Sequence, residues 1–495
     1  MTDAGSTGSS SPLSALKQGM AIDLTIEKIA AGGHGLAEVE GLPVFVHGAI
    51  PGQKVNVVIT KKKEKFAEAK IVKILQKAVH EIAPKCKHFW DCGGCVWQHL
   101  PYEKQIVYKE EIVKETLEHV TPIDEAERKK LPGRVLSIIP SPEIFNYRNK
   151  LELSFGYGTM RHEEKESTTG KKKRIYFDEN PSIGFHQPGE WSTILPIDEC
   201  HLYDEQITSL LSNVKDFMKE TNLPVYNPKT HKGVMRSLLL RRGINTGEQM
   251  VCFIVQARKR QLEPLFQHFQ RFGQHPSITS LLVVEHFGMN DKPQNPHIHV
   301  LKGNQSIKER LFDMEFELSP FSFFQTNTHA AEKLYQAIAD IADLSGRETI
   351  LDCYCGLGSI GQYLSRFCDK VVGVESSESA IEDALKSAGK NKVANISFYK
   401  GAAERVLTKQ LAPGGKYKFD CIIVDPPRAG LHKKVTESIL GHKPEKIVYV
   451  SCNTSTFARD LGEFLKGGYE LRLVQPIDLF PHTAHVETVA LLQKS

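Results

Sequence analysis

The sequence predicts an α/β protein in which a Rossmann-like, doubly wound sheet follows a small OB-like β-barrel and a mixed α+β central domain. Three observations carry that expectation. From about Ser319 to the C-terminus, apolar runs of strand length alternate with segments of helical periodicity. Residues 17–76 instead break into short alternating blocks separated by Gly-rich turns. A chain of 495 residues also exceeds what a single hydrophobic core organises, which suggests about three folded units.

Residues 1–16, "MTDAGSTGSSSPLSAL", read as a flexible Ser/Gly tail, because they lack the basic start and apolar block of a signal peptide. No apolar run approaches the roughly 18 residues a membrane span needs. With 40% hydrophobic and 25% charged residues, the composition is that of a soluble globular protein, and the expected compartment is cytoplasmic. The ten cysteines are then expected to be reduced and available for metal, catalysis or packing.

Residues 17–76 hold "MAIDLTIEKI", "GLAEVEG", "LPVFVHG", "QKVNVVITKK" and "FAEAKIVKIL", read as five strands of an antiparallel barrel of the kind that holds oligonucleotides. Eight lysines stand against two glutamates, Glu64 and Glu68, between Lys54 and Lys77. A solvated lysine face accounts for such charge by itself; on the last hairpin of a barrel it points to a phosphate backbone.

Residues 77–319 form the central segment. Cys86, Cys92 and Cys95 in "CKHFWDCGGC" place three thiols in one tight loop, and Cys200 in "IDECHLY" is the loop-borne cysteine able to supply a fourth ligand. Four cysteines suit zinc or an iron–sulfur cluster, and spacing alone does not choose. "YEKQIVYKEEIVKETLEHV" has helical apolar spacing, "KLELSFGYG" and "SLLLRRG" read as strands, "QITSLLSNVKDFMKE" as a helix, and residues 163–174 as a polar, mobile hairpin insertion.

In residues 320–495, ligands are expected beyond the carboxyl ends of the strands. Gly356, Gly358 and Gly361 in "DCYCGLGSIG" have the G-x-G-x-x-G spacing of a turn that approaches a nucleoside cofactor, and Glu375 ends the next strand, where a carboxylate takes both ribose hydroxyls. The spacing does not separate NAD from S-adenosylmethionine. Asp352 and Tyr354 lie beside the turn. "VDPPRAGL" puts Asp425 at a strand end before a stiff Pro–Pro loop. In "VYVSCNTSTFARDL", Cys452 closes an apolar strand at the crevice; a buried cysteine is usually a small hydrophobe, but this placement favours a nucleophile. "PHTAHVETVALL" brings Glu487 to the start of the closing strand as a base, with His485 as its competitor.

Taken together, "CGGC", "SPFSFFQTN", "LDCYCGLGSIG", "VVGVE", "DPPRAGL", "VSCNTSTFARDL" and "FPHTAHVETVALL", behind a TRAM-like barrel, resemble the RNA uracil-5 methyltransferases of the RumA/TrmA type over almost the whole chain. The resemblance implies a methyltransferase domain whose S-adenosylmethionine site is lined by Gln325, Tyr354, Glu375 and Asp425, a [4Fe-4S] cluster on Cys86, Cys92, Cys95 and Cys200, Cys452 as nucleophile and Glu487 as base. It further implies an RNA substrate, with ribosomal RNA favoured and transfer RNA open; no obligate protein partner is evident from the sequence. Ser359 and Ala402 stand where some members carry a polar cofactor contact, so neither is assigned a role. An NAD-dependent oxidoreductase would share the glycine turn but leaves Cys452 and Glu487 without a task. A non-catalytic RNA-binding or redox-sensing protein leaves them equally idle.

Overall fold

The computed structural model describes residues 16–165, 172–187, 190–289, 293 and 296–495. The tail expected over residues 1–16 lies outside them except for Leu16, which is buried in the barrel core. That core is built from Val44, Val46, Val55, Val57, Ile59, Ala67 and Ala69, the inward half of each alternating block. The barrel has six strands between Ala21 and Gln76, where five were expected, and it is not wholly antiparallel, since Leu42–His47 pairs in parallel with Ala67–Gln76. "MAIDLTIEKI" is divided between Ala21–Thr25 and Lys28–Ala30, which pair with different neighbours. A one-dimensional alternation does not show where a chain changes partner.

The central sheet has seven strands. Its longest hairpin, Lys150–Lys165 with Lys172–Gln187, pairs Glu163 with Arg174 and Lys165 with Lys172, so the expected hairpin over 163–174 is formed on both sides of residues 166–171, which lie outside the described ones. The helix Ile207–Thr221 packs Leu211, Val214 and Phe217 into this sheet's core.

The C-terminal sheet contains, in chain order, Thr349–Cys353, Lys370–Glu375, Ile396–Lys400, Cys421–Val424, Lys446–Ser451, Tyr469–Ile477 and Glu487–Lys494. Laterally they run third, second, first, fourth, fifth, seventh, sixth. The first five are parallel; Glu487–Lys494 runs against them, and Tyr469–Ile477, which pairs antiparallel with it, runs with them. Central strands such as "CIIV" and "KIVYV" are apolar without alternation because both faces are covered. Helix Thr328–Ala342 lies on one face; Ala403–Lys409, Lys433–His442 and Thr454–Lys466 lie on the other. The helix Tyr102–Val120, from the central stretch of sequence, also joins this second layer, inserting Val113 and Leu117 beside Phe457, Ala458 and Leu461.

Candidate active site

Parallel strands must all present their carboxyl ends at one edge, and the antiparallel last strand begins at that same edge, since Thr488 pairs with Ser451. Reading laterally, the residues at or just beyond these ends are Glu375, Tyr354, Asp425, Cys452 and Glu487. The order of strands therefore sets a nucleoside-type turn at one end of a row and a thiol and carboxyl at the other.

The turn after Cys353 carries left-handed backbones at three alternate residues: Tyr354 (φ 65°), Gly356 (φ 54°) and Gly358 (φ 69°). A Cβ at Gly358 would lie 2.7 Å from the Phe398 ring, whereas one at Gly356 would meet nothing nearer than Phe323 at 4.0 Å. Gly356 thus leaves its backbone open to a ligand. Glu375 braces the turn: one oxygen accepts Gly356 N–H at 3.1 Å, and the other accepts Ser377 N–H at 2.7 Å and the Ser376 hydroxyl at 3.0 Å. Asp352 is buried; one oxygen accepts Gly361 N–H at 3.0 Å and the other has no hydrogen-bond partner. Burial first, and then Asp425, push its carboxyl up to about 7. An orphaned buried carboxylate oxygen beneath an open glycine turn fits a cationic, hydroxyl-bearing nucleoside cofactor such as S-adenosylmethionine. Gln325, also buried, offers its backbone carbonyl to Asn149 Nδ2 at 2.8 Å.

Asp425 is the junction. Burial raises its carboxyl to about 6, and its charge acts on Asp352, on Cys452 and on Glu487. The Cys452 thiol is raised to about 11, by burial and then by Glu487 and Asp425, with Arg428 opposing. Glu487 is buried and held well above the usual carboxylate range by desolvation and by Asp425, again opposed by Arg428. Cys452, Glu487, Asp425 and Arg428 therefore share one electrostatic compartment. His485, the competing base, lies on the exposed side, 3.4 Å from Arg428 Nη2; partial desolvation of its ring and then the neighbouring cations Arg428, Lys109 and Arg148 lower it to about 4.

The helix Thr454–Lys466 fixes the loop that bears Arg428. Asn453 caps the helix by accepting Ser455 N–H and donates from Nδ2 to the Arg428 carbonyl at 3.0 Å. Asp460 accepts Leu431 N–H and the buried Tyr449 hydroxyl, each at 2.7 Å. The capping role of Asn453 and the contacts of Asp460 and of Tyr335, whose buried hydroxyl meets Ser359 Oγ at 2.7 Å, were not read from the sequence. The cap pattern N-T-S-T ahead of an amphipathic run was the available signal for Asn453; Tyr335 lies in an ordinary helical pattern.

The four predicted cluster cysteines come together from two loops. Cys95 is raised to about 12, by burial and then by the thiols of Cys200, Cys92 and Cys86; Cys92 is raised to about 11 by burial with Cys200 and Cys86 adding. Lys87 N–H to Glu199 at 3.0 Å and Lys87 Nζ to Asp198 at 2.9 Å hold the loops together. The thiols act on one another's charge, but among the described residues the group whose ligand atoms all lie within 4.8 Å of one another is Glu285, His297 and His299, not these cysteines.

Residues 298–495 match the family model described as tRNA (uracil-5-)-methyltransferase, and residues 15–72 match the TRAM domain. A protein of Bacteroides thetaiotaomicron named "Uncharacterized RNA methyltransferase" is 37% identical over 469 residues, 94% of this chain and 100% of the relative. A like-named protein of Caldanaerobacter subterraneus subsp. tengcongensis is 35% identical over 97% of this chain and 100% of its own. The solved Pyrococcus abyssi tRNA (uracil-54, C5)-methyltransferase, in complex with S-adenosyl-L-homocysteine, superposes with a TM-score of 0.71 at 29% identity, covering 95% of this chain and 99% of that one.

Proposed function

The chain belongs to the RNA (uracil-5-)-methyltransferase family, S-adenosylmethionine-dependent transferases of class 2.1.1, and from that premise we propose that it methylates C5 of a specific uridine through a transient bond between Cys452 and C6. The observation that carries the reading is the compartment shared by one thiol, two raised carboxyls and one guanidinium at the carboxyl edge of the sheet.

C5 of uracil is a poor nucleophile. Addition of the Cys452 thiolate to C6 yields an enolate with electron density at C5. S-adenosylmethionine, when bound, supplies an electrophilic sulfonium methyl to that carbon, and Tyr354, Glu375, Asp425 and Gln325 are the residues we assign to hold it. Glu487 then takes the C5 proton; the electron pair of that C–H bond re-forms C5=C6 and expels the Cys452 thiolate. A carboxylate held above its ordinary range is the stronger base for this step, and Arg428 favours the thiolate for the first. The uridine must leave its stack to reach this edge.

Cys86, Cys92, Cys95 and Cys200 are assigned to a [4Fe-4S] cluster that cross-links their two loops; the choice of iron–sulfur over zinc rests on the resemblance. Ribosomal RNA is the substrate we favour, on the resemblance to members that combine the barrel with the cluster cysteines. Transfer RNA is the alternative, and the name of the Pyrococcus abyssi enzyme supports it. The compartment for either is the cytoplasm; among the described residues, no helix is long and apolar enough to cross a membrane.

The test is methyl transfer from labelled S-adenosylmethionine into purified ribosomal and transfer RNA by wild type and Cys452→Ala. Label in 5-methyluridine of one RNA, absent with the variant, supports the mechanism and selects the substrate. No label in either, from protein with its cluster loaded, defeats the reading.

A further inference from the structure

We infer that the barrel carries a nucleotide subsite, formed by His34, His47, Phe45 and Lys70, that holds an unpaired nucleotide of the RNA flanking the target uridine; this rests on the proposed reaction and extends it. Period-two geometry explains the constellation. Val44, Val46, Ala67 and Ala69 point into the core, so Phe45 and His47 on one strand, and Glu68 and Lys70 on its parallel neighbour, share the outer face; Phe45 pairs with Glu68 and His47 with Lys70. With His34, Thr60 and Ala31 they line a cavity of about 420 Å³, large enough for a nucleotide.

The lining matches that ligand in kind. Phe45 and the imidazoles provide π faces for a base, and Lys70 and Thr60 provide cation and hydroxyl for a phosphate. His34 and His47 meet Nδ1 to Nδ1 at 2.8 Å, one donating to the other, with centroids 4.6 Å apart and planes at 33°. Each ring thereby spends Nδ1 on its partner and keeps Nε2 for another group. Glu68, the one acidic lining residue, is paired with Lys61 at 2.7 Å, so it does not set the sign of the site.

Position supplies the link to the reaction. The turn leading into His34 touches the active-site loop directly: a Cβ at Gly33 (φ 80°) would lie 2.5 Å from the Ala484 methyl, one residue from His485 and three from Glu487. The fully buried Trp97 ring donates to the Gly33 carbonyl at 3.4 Å, while Val96 and Trp97 N–H groups both donate to the His482 carbonyl. Barrel turn, cysteine loop and the loop before Glu487 are thus locked together. The proposal therefore runs the RNA that flanks the target uridine along the His34 turn.

The experiment uses full-length, cluster-loaded Cys452→Ala as a non-turning-over background and measures fluorescence anisotropy of a labelled single-stranded RNA. Adding His34→Ala and His47→Ala together is expected to weaken binding about tenfold, as loss of a stacked base does. Lys70→Ala is expected to weaken it less and to flatten its salt dependence by about one charge. S-adenosylhomocysteine affinity stays unchanged in each. RNA affinity equal to the background in His47→Ala, an exposed position that leaves the barrel fold intact, and in Lys70→Ala would overturn the subsite. Methyl transfer by otherwise wild-type protein is scored separately. If transfer fails while RNA affinity responds to these residues, the reaction falls and the subsite stands; the converse result separates them the other way.

Discussion

Asn453 Nδ2 donates to the Arg428 carbonyl at 3.0 Å, so the residue that follows the thiol in sequence also fastens the loop that begins at Asp425. Thiol and loop cannot be displaced independently, which matters because Arg428 is the cation that offsets two carboxyls around Cys452. Asn453→Ala is expected to lose this clamp together with a helix cap, at about 1 kcal/mol of stability, and to reduce kcat more than it raises the KM for S-adenosylmethionine. Steady-state kinetics beside a thermal melt read both; unchanged kcat would leave the clamp purely structural.

Glu487→Gln separates the two halves of the proposed chemistry. Addition and methyl transfer need Cys452, but release needs a base at C5, so the variant is expected to turn over about 10²- to 10⁴-fold more slowly and to accumulate a protein–RNA adduct stable on a denaturing gel. Absence of any adduct in that variant, with wild type active, counts against Glu487 as the C5 base.

The pH profile has a defined sign. Cys452 must lose a proton from a thiol raised to about 11, and Glu487 must be unprotonated from a raised value, so both requirements make kcat/KM climb with increasing pH. Neither group gives a falling limb on the alkaline side. In Arg428→Ala the thiol loses the charge that lowers it, and the rising limb is expected to shift to higher pH. A shift to lower pH would contradict the assigned role.

Asp352 links the cofactor turn to stability. Its carboxyl is near 7 when folded and near 4 when unfolded. Between those values the folded state binds more protons, so this residue's contribution to stability declines as pH rises through the window. Asp352→Asn, which keeps an acceptor for Gly361 N–H, is expected to melt higher than wild type at pH 8 by more than at pH 5. An equal difference at both values would show that Asp352 is not carrying the burden.

Gly358→Ala tests the glycine turn. The added methyl combines a φ of 69° with a 2.7 Å approach to Phe398, and overpacking of this kind costs about 1–3 kcal/mol. Calorimetry with S-adenosylhomocysteine is expected to show weaker binding for Gly358→Ala, because the turn is displaced, and for Gly356→Ala as well, because the methyl enters the space left open to the ligand.

If the proposed cluster is present, anaerobically prepared wild type carries iron and acid-labile sulfide, and Cys95→Ser is expected to lose both together. Stoichiometric zinc in wild type, with no sulfide, would reverse the choice of metal centre.

Much of this was legible in the sequence because the relevant signals are local. Strand and helix periods, the left-handed glycines of "CGLGSIG", and polar residues ending apolar runs at Glu375, Asp425 and Cys452 all follow from chain geometry over a few residues. Where signals depend on partner choice, the reading fell short: six barrel strands instead of five, and the helix Tyr102–Val120 spent on the C-terminal sheet.

The sequence by itself therefore determined which chemistry-bearing residues stand at strand ends, since a strand's last residue is a property of its own segment. Tertiary structure alone decided their neighbours. The lateral order of strands puts Asp425 between the glycine turn and Cys452, and the antiparallel return of the last strand brings Glu487 to the same edge. It also decided that His485 stays outside, that Arg428 faces the thiol compartment, and that the His34 turn abuts Ala484. Electrostatic shifts of buried groups depend on what surrounds them in space, and no spacing along the chain encodes that sum.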